Sequence, residues 1–365
     1  MATLIKSVIR NFRNIELQEL EFSPNINCIS GGNGEGKTNL LEAIWYLSMT
    51  KSPFTTSDRF NYRYGSDSFA IGGTYMMHGG VSSKFSIQVN GAGKTMKRDD
   101  KTYSRISEHI GILPIVMVSP SDTAMVSESG EERRKFTNSV LSQMDRNYLS
   151  GIQQYTKVLL QRNKMLKDGI TDDVLLSTFD DMLSSLAGPV FERRAEFCRN
   201  ITPIVRKYYG QISGEKEEVG IEYRSDLSDG RLSDILRENR ARDAALKYTA
   251  AGIQRDDFIF TMDGHPIRRH GSQGQQKSFL VALKFAQYEL MKSNCGFPPM
   301  LLLDDLFDKL DMERVSNLLK MVADSDFGQI FLSDSNKVRI KGIVDSITSD
   351  RAYFETKGGV FTRNE

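Results

Sequence analysis

The sequence predicts an α/β nucleotide-binding fold whose two halves are separated along the chain by a mainly helical insertion. Three observations support this fold class: a glycine-rich loop near the N-terminus, a buried strand that ends in two aspartates near the C-terminus, and helical periodicity between them. The chain has 365 residues and 39% hydrophobic content. It is therefore long enough to bury a sizeable core and to form two domains.

The loop lies between a predicted strand and a predicted helix. In residues 26–29, apolar residues alternate with Asn27 and Cys28, as at the end of a buried strand, and residues 38–47 repeat apolar side chains at helical spacing. Between them the chain matches the phosphate-loop pattern G-x-x-x-x-G-K-[ST] at every fixed position. The matching residues are Gly31, Gly32, Asn33, Gly34, Glu35, Gly36, Lys37 and Thr38.

Each fixed position in this pattern has a physical reason. Glycines let backbone N–H groups turn toward anionic oxygens, and the N-terminus of the helix adds partial positive charge. Lys37 is predicted to reach the β- and γ-phosphates, and Thr38 to ligate Mg²⁺. A glycine-rich turn without function is the alternative, but the strand before the loop and the helix after it argue against that alternative.

Composition and charge narrow the class of protein. The formal net charge of +1 does not by itself indicate or exclude nucleic acid. Cys28, Cys198 and Cys295 are widely spaced, which argues against a zinc site or a disulfide framework and is typical of packed thiols in a reducing compartment. No apolar run approaches the roughly 18 residues of a membrane span. We therefore expect a cytoplasmic protein without membrane contact.

The periodicity along the chain divides it into segments. Residues 4–85 alternate like strands, and helical spacing begins near residue 131. A short strand is predicted from Gly220, and a hairpin that turns at Asp263-Gly264 precedes the return to α/β patterning. The predicted division is a discontinuous head, residues 1–125 and 246–365, and a helical arm, residues 126–245.

The stretch LLLDDLFDKLD, which begins at Leu301, supplies the acids that a phosphate loop needs. An apolar strand ends at Asp304 and Asp305, where the first carboxylate would hold the metal and the second would orient or deprotonate water. Asp304 follows Lys37 by 267 residues, far more than a compact nucleotide-binding fold requires. The helical middle is therefore interpreted as an insertion.

The stretch GSQGQQKS lies shortly before these acids. Ser272, Gly274 and Gln275 precede a clear helical pattern, so a hydroxyl and backbone amides would lie at a helix N-terminus and could meet a phosphate. A simple helix cap, to which a serine is well suited, explains the same spacing equally well.

Together these motifs resemble the ATP-binding-cassette heads of the structural-maintenance-of-chromosomes superfamily, and most closely the RecF family. The resemblance spans nearly the whole chain. It includes IRNFRNI, TNLLEAI, RRKF, LLQRNKML, YTAAGIQRDD, SQGQ and LLLDDLFDKLD. The middle segment lacks the sustained heptads of a long coiled coil, and the short helical arm of RecF-like proteins agrees with this.

The resemblance implies an ATP-binding-cassette-type P-loop ATPase head that dimerises with ATP and Mg²⁺. Ser272, Gly274 and Gln275 would contact the γ-phosphate of the partner subunit's nucleotide, Asp311 would be the D-loop acid, and Asp305 would act on water. Such an enzyme would be a weak, DNA-stimulated ATPase whose turnover switches dimerisation. The implied partners are double-stranded DNA or single-strand/double-strand junctions and the RecO and RecR proteins, in support of RecA loading, replication and the SOS response.

Four positions depart from the family pattern. Pro53-Phe54-Thr55 stands where a serine-phenylalanine-arginine stretch is common, and Ile253-Gln254 replaces a proline-histidine pair. The histidine of the H-loop falls on Asp334, and residues 119–122, expected near the Q-loop, contain no glutamine.

Two other functional classes compete with the DNA-repair ATPase. One is a nucleotide-gated structural clamp that acts mainly through protein partners, and the other is an unrelated P-loop enzyme such as a small-molecule kinase or a helicase. The SQGQ and DKLD stretches argue against both, since neither class needs a signature supplied by a second subunit.

Overall fold

The computed structural model describes residues 2–170, 172–214, 216–305, 327–345 and 348–364. The chain divides into two compact units, which we call unit 1 (Met1–Asp122 with Lys284–Glu365) and unit 2 (Thr123–Leu283). Unit 1 is thus assembled from both ends of the chain, and unit 2 is inserted between them. Unit 2 extends past residue 245, because the segment that follows pairs and packs within it.

Unit 1 contains a six-stranded, mainly parallel sheet in the order β15-β14-β3-β13-β12-β8. All residues of its central strands are buried, as expected for a sheet that is covered on both faces. The bounds are β3 (Ile26–Ser30), β8 (Ile115–Val118), β12 (Met300–Asp304), β13 (Ile330–Asp334), β14 (Arg351–Lys357) and β15 (Val360–Asn364). The accompanying helices are α1 (Lys37–Met49) and α10 (Lys337–Val344).

A second, antiparallel sheet of unit 1 has the order β2-β1-β4-β5-β6-β7. Burial alternates along β5, so one face of this sheet packs against the core and the other faces water. The bounds are β1 (Thr3–Phe12), β2 (Ile15–Glu21), β4 (Phe69–Met76), β5 (Ser82–Asn90), β6 (Gly93–Arg98) and β7 (Lys101–Thr102), with short 3-10 turns at Asp58–Asn61, Ile106–His109 and Pro120–Thr123.

Helix α1 shares one apolar core with residues of both sheets. The ring of Phe69 on β4 lies 5.2 Å from that of Tyr46 on α1 and 5.1 Å from that of Phe12 on β1. Edge-on contacts of this kind add to the burial of each ring. Helix α1, which follows the glycine loop, is therefore packed against residues of both sheets.

Unit 2 combines helices with a three-stranded sheet in the order β11-β10-β9. The predicted hairpin is confirmed: Asp263 and Gly264 both have positive φ angles, 48° and 77°, and Met262 pairs with His265. The helices are α2 (Ala124–Ser127), α3 (Gly130–Met144), α4 (Arg146–Lys167), α5 (Asp173–Ser213), α6 (Leu232–Glu238), α7 (Arg240–Leu246), α8 (Ile267–His270) and α9 (Gln273–Cys295), whose residues from Lys284 onward belong to unit 1; the strands are β9 (Val219–Arg224), β10 (Asp257–Met262) and β11 (His265–Pro266), with a 3-10 turn at Asp226–Ser228.

A fully buried arginine connects three helices of unit 2 through hydrogen bonds. Arg162 on α4 donates to Asp180 on α5 at 2.8 Å and to Asp243 on α7 at 2.7 Å. It also donates to the hydroxyl of Thr249 at 2.8 Å. Removal of one partner from such a buried network leaves charge that is neither hydrated nor paired.

Arg194 on α5 forms a second buried network, with the loop before β10. Its Nη1 atom donates to Asp256 and to the carbonyl of Ile253, each at 2.6 Å. Nearby, Arg133 makes a two-pronged pair with Asp257, at 2.8 and 3.0 Å. The RRKF, LLQRNKML and YTAAGIQRDD stretches therefore contribute to the ion-pair framework of unit 2.

The sequence also predicted packed free thiols and no membrane span. Cys28 and Cys198 are buried and Cys295 is partly buried, and all three are free thiols. Burial raises the pKa of the Cys28 thiol to about 12, so it stays protonated at neutral pH. Over the described residues, every helix is too short or too polar to cross a bilayer.

We predict that Arg162→Met lowers the free energy of unfolding by about 3–5 kcal/mol, because Asp180 and Asp243 lose their buried partner. The matched control is Arg237→Met, which removes an exposed pair with Asp234 and should cost less than about 1 kcal/mol. Urea unfolding followed by circular dichroism measures both changes. Equal losses of unfolding free energy in the two variants would show that the buried Arg162 network stabilises the protein no more than an exposed ion pair does.

Candidate functional site

The glycine loop, residues 31–36, connects β3 to α1. Gly34 and Gly36 have φ angles of 81° and 109°, which side chains other than that of glycine rarely adopt. A Cβ atom on Gly31 would lie 2.6 Å from the carbonyl oxygen of Thr356. The backbone path of the loop therefore requires these three glycines, while Gly32, Asn33 and Gly34 form its exposed tip.

Contacts from distant segments fix the shape of the loop. The carbonyl of Glu35 accepts hydrogen bonds from the Asn14 side chain at 3.2 Å, the Thr356 hydroxyl at 3.0 Å and the Gly359 N–H at 2.9 Å. The Glu35 carboxylate also accepts from the N–H of Gly358. These contacts all come from the same chain and form without a ligand. The loop is therefore already in its ordered conformation before a ligand binds.

Lys37 lies over this loop with 4% of its surface exposed. Its ammonium group donates to the carbonyl oxygens of Gly31 at 2.9 Å and Gly32 at 3.1 Å. The two carbonyl oxygens accept hydrogen bonds from the ammonium but carry no net charge. A phosphate group in the loop would add negative charge beside it.

Thr38 and Asp304 meet at the carboxyl edge of the parallel sheet. β13 separates β3 from β12, so the loop after β3 and the end of β12 lie at the same edge. The Thr38 hydroxyl donates to Asp304 at 2.8 Å to one carboxylate oxygen and 3.1 Å to the other. The structure thus brings together the two residues predicted to hold the metal.

Burial raises the pKa of the Asp304 carboxyl, and the nearby charge of Asp305 raises it further. Hydrogen bonds from Ser333 and Thr38 and the charge of Lys37 oppose this rise. A divalent cation would favour the ionised form, and hydroxyl and carboxylate oxygens are ligands that Mg²⁺ accepts. Within the described residues, no group of three or more His, Cys, Asp or Glu side chains has the form of a metal site.

Asp305 directly follows β12 in an unusual conformation. Its φ angle is 43°, in the left-handed region, and its N–H donates to the Ser333 hydroxyl at 3.1 Å. Ser333 is fully buried on β13 and donates to Asp304 at 2.6 Å. Ser333 therefore contacts both acidic residues. Ser333 was not predicted from the sequence, although a polar residue near the end of a buried strand that neighbours β12 is a usable signal.

The other predicted positions near this edge have defined partners. Asp334 is buried at the end of β13, opposite Ser30 in the sheet, and accepts from the N–H of Asn336 at 2.7 Å. In the segment after β8, Asp122 pairs with Lys284 at 2.8 Å. Asp311 lies outside the described residues.

Ser272 and Gln275 belong to unit 2 and cap α9 reciprocally. The Ser272 N–H donates to the Gln275 side chain at 2.7 Å, and the Gln275 N–H donates to the Ser272 hydroxyl at 3.3 Å. Gln275 also donates to Glu217 at 2.7 Å. This is the capping-box arrangement, so the helix-cap interpretation describes these residues within one chain. The hydroxyl keeps its own hydrogen for a further acceptor.

Comparison with known proteins reveals close relatives over the full length. A family described as an AAA domain matches residues 8–182. The DNA replication and repair protein RecF of Bacteroides fragilis (strain YCH46) is 40% identical over 359 residues, which cover 98% of this chain and 97% of the relative. The protein of the same description from Parabacteroides distasonis is 41% identical over 356 residues, 98% of each chain.

Solved structures agree with these relatives. A structure of the recombination mediator protein RecF with ATP, described as part of the RecFOR pathway, is 27% identical with a TM-score of 0.90 and covers 100% of this chain and 98% of that chain. An Smc head domain from Pyrococcus furiosus, at 13% identity and a TM-score of 0.58, covers 100% and 96% and shares the α/β P-loop head fold. On the identity and coverage of its relatives, this chain belongs to the RecF family of DNA replication and repair proteins.

Proposed function

We propose that the chain binds ATP and Mg²⁺ at the glycine loop. The observation that carries this proposal is the meeting of Thr38 with Asp304, 2.8 Å apart, beside the loop-bound ammonium of Lys37. Lys37 would transfer its hydrogen bonds from loop carbonyls to the β- and γ-phosphates. Thr38 and Asp304 would hold the metal, which when bound neutralises phosphate charge. The ATP-bound RecF structure supports this choice of nucleotide.

Asp305 is the residue we propose for hydrolysis. Its carboxylate would orient the attacking water and accept its proton while the water oxygen bonds to the γ-phosphorus and ADP leaves. The Ser333 hydroxyl holds the backbone of Asp305 and the carboxylate of Asp304 in one arrangement. Turnover would be slow because the site would be complete only in a closed dimer.

The second subunit would supply Ser272, Gly274 and Gln275, together with Asp311, to the γ-phosphate side of the site. The cap on α9 is compatible with this role, because the Ser272 hydroxyl accepts from Gln275 and can still donate to a phosphate oxygen. ATP would then favour the closed homodimer by the free energy of contacts that exist only there.

The proposed biological role is DNA recombination and repair in the cytoplasm. The closed dimer would hold double-stranded DNA or a single-strand/double-strand junction through phosphate contacts and would assist RecA loading with RecO and RecR. As a functional division, the head would be residues 1–125 and 246–365 and the arm residues 126–245; the head would then include the Ser272 segment, although residues 246–283 belong to compact unit 2. The relatives' description as replication and repair proteins supports this role.

A nucleotide-gated clamp that acts mainly through protein partners is the second candidate. It shares the ATP site and the dimer but predicts no ATP-dependent affinity for DNA. Fluorescence anisotropy of labelled double-stranded DNA, titrated with the protein in ATP and in ADP, separates the two. Equal affinity in both nucleotides would favour the clamp.

Lys37→Ala should weaken ATP binding by roughly tenfold to a hundredfold, because a charged hydrogen bond to phosphate is worth about 1.5–3 kcal/mol. Lys101→Ala, at an exposed lysine on β7, is the control and should bind ATP like the wild type. Isothermal titration calorimetry measures both affinities, and circular dichroism checks folding. A folded Lys37→Ala protein with wild-type affinity would contradict the assignment.

Asp305→Asn should bind ATP and dimerise normally but hydrolyse ATP about a hundredfold more slowly, since an amide cannot accept the proton from water. Single-turnover hydrolysis with radiolabelled ATP measures the chemical step. Asp304→Asn is the comparison variant and should lose Mg²⁺-dependent nucleotide binding. An unchanged hydrolysis rate in Asp305→Asn would assign the base to another residue.

Ser272→Arg should bind ATP almost normally, remain monomeric with saturating ATP and lose ATP-dependent affinity for double-stranded DNA. Ser272→Asp separates the two interpretations of this residue, because aspartate caps a helix as well as serine does but repels a γ-phosphate. We expect Ser272→Asp to keep the stability of the wild type and to fail to dimerise. Sedimentation velocity measures assembly. Dimerisation of both variants with ATP would leave Ser272 as a helix cap alone.

A further inference from the structure

The loop that follows α1 presents two aromatic rings to water. We call residues 57–66 the aromatic loop; it contains the 3-10 turn Asp58–Asn61. Tyr64 is 99% exposed and Phe60 is 65% exposed. Among the residues that the structure describes, neither ring stacks on another aromatic side chain, whereas Tyr62 between them packs toward the core and contacts Phe69.

The backbone of this loop is firmly held. The N–H of Arg13 donates to the carbonyl of Asn61 at 2.8 Å, and the N–H of Arg63 donates to the carbonyl of Asn11 at 2.9 Å. The Arg13 guanidinium donates to the carbonyl of Phe60 at 2.8 Å, and Asn61 is fully buried. Exposure of the two rings is therefore a property of a fixed loop, which holds them ready for a flat partner.

Arginines alternate with the exposed rings. Arg59 precedes Phe60 and is exposed, and within the described residues its side chain makes no hydrogen bond or ion pair. Arg63 precedes Tyr64 and pairs at 2.9 Å with Glu16, an exposed pair of small energetic value. Asp58 is already engaged by Lys94 at 3.0 Å. The loop thus offers flat π-surfaces next to a cation without a partner.

This combination matches one class of ligand. A single strand of nucleic acid presents unpaired bases, which stack on aromatic rings whatever their identity, and phosphates, which pair with arginine. A duplex hides the faces of its bases inside the stack and offers mainly phosphates. A protein partner could pack against the apolar rings, but packing of this kind does not use the positive charge of Arg59.

We propose that the aromatic loop is a contact site for single-stranded nucleic acid, in which bases stack on Tyr64 and Phe60 while Arg59 pairs with a phosphate. The inference rests on the proposed role at DNA and specifies which strand form this part of unit 1 contacts. The contact has no base-edge readout, so it would be tolerant of sequence.

The first test reads stacking directly. The chain has a single tryptophan, Trp45, which is buried on α1. In a Trp45→Phe background, Tyr64→Trp and Phe60→Trp each place one reporter on the loop. Oligothymidine should quench this fluorescence, and a strand of the same length made of abasic sites should not. Equal quenching by both strands, or none by either, would overturn the stacking contact.

The second test needs no change in the core. Tyr64→Leu and Phe60→Leu keep apolar side chains but remove the rings, and Tyr64→Phe is the matched control that keeps one. Each leucine variant should lose about tenfold in affinity for oligothymidine, while affinity for the abasic strand and ATP-dependent binding of double-stranded DNA stay at wild-type values. Fluorescence anisotropy measures all three. Arg59→Ala should reduce the salt dependence for both strands.

The outcomes separate this inference from the proposed function. If the leucine variants bind oligothymidine like the wild type while ATP-dependent double-stranded DNA binding persists, the rings serve another partner and the inference is wrong, but the proposed function stands. If the wild-type protein binds neither strand form with ATP, the proposed role at DNA fails and the inference fails with it. Loss of oligothymidine affinity in the leucine variants, with Tyr64→Phe unchanged, supports the contact.

Discussion

The hydrogen bond between Thr38 and Asp304 joins two parts of the chain that are 266 residues apart. It forms because β3, β13 and β12 are neighbours in one parallel sheet, whose carboxyl ends share an edge. Burial raises the pKa of Asp304, so its ionised form depends on nearby donors and positive charge. The glycine loop, Thr38 and the strand-end acids Asp304 and Asp305 all lie at this edge.

The insertion between the two halves of unit 1 is stabilised by its own contacts. Arg162 and Arg194 are fully or almost fully buried, and each bonds to residues from other elements of unit 2. Buried ion pairs of this kind are costly to break singly, so they specify how the helices and the small sheet pack. The chain can therefore leave the parallel sheet of unit 1 after β8 and return to it at β12, while each unit keeps its own buried contacts.

The sequence predicted those features whose signals are local. The loop pattern from Gly31 to Thr38, the acids at the end of β12 and the Asp263-Gly264 turn each lie within a few residues, and their geometry follows from backbone and charge rules. Contacts between distant segments were not predictable. Asn14 and Thr356 bind the loop at Glu35 and carry no local marker. Ser333 is marked only as a polar residue near the end of a buried strand, and its contact with both strand-end acids depends on the neighbouring strand β12. The spacing of Ser272 and Gln275 is compatible with a helix cap and with a phosphate contact, because both use the same hydroxyl and backbone amides.

The central claim is that ATP closes two copies of this chain around the loop and the Ser272 segment. Sedimentation velocity of the wild-type protein with saturating ATP, with ADP and without nucleotide tests it most directly. A dimer with ATP and monomers in the other two states is the predicted result, since only the γ-phosphate distinguishes ATP from ADP at this site. The same sedimentation coefficient in all three states would contradict ATP-dependent closure.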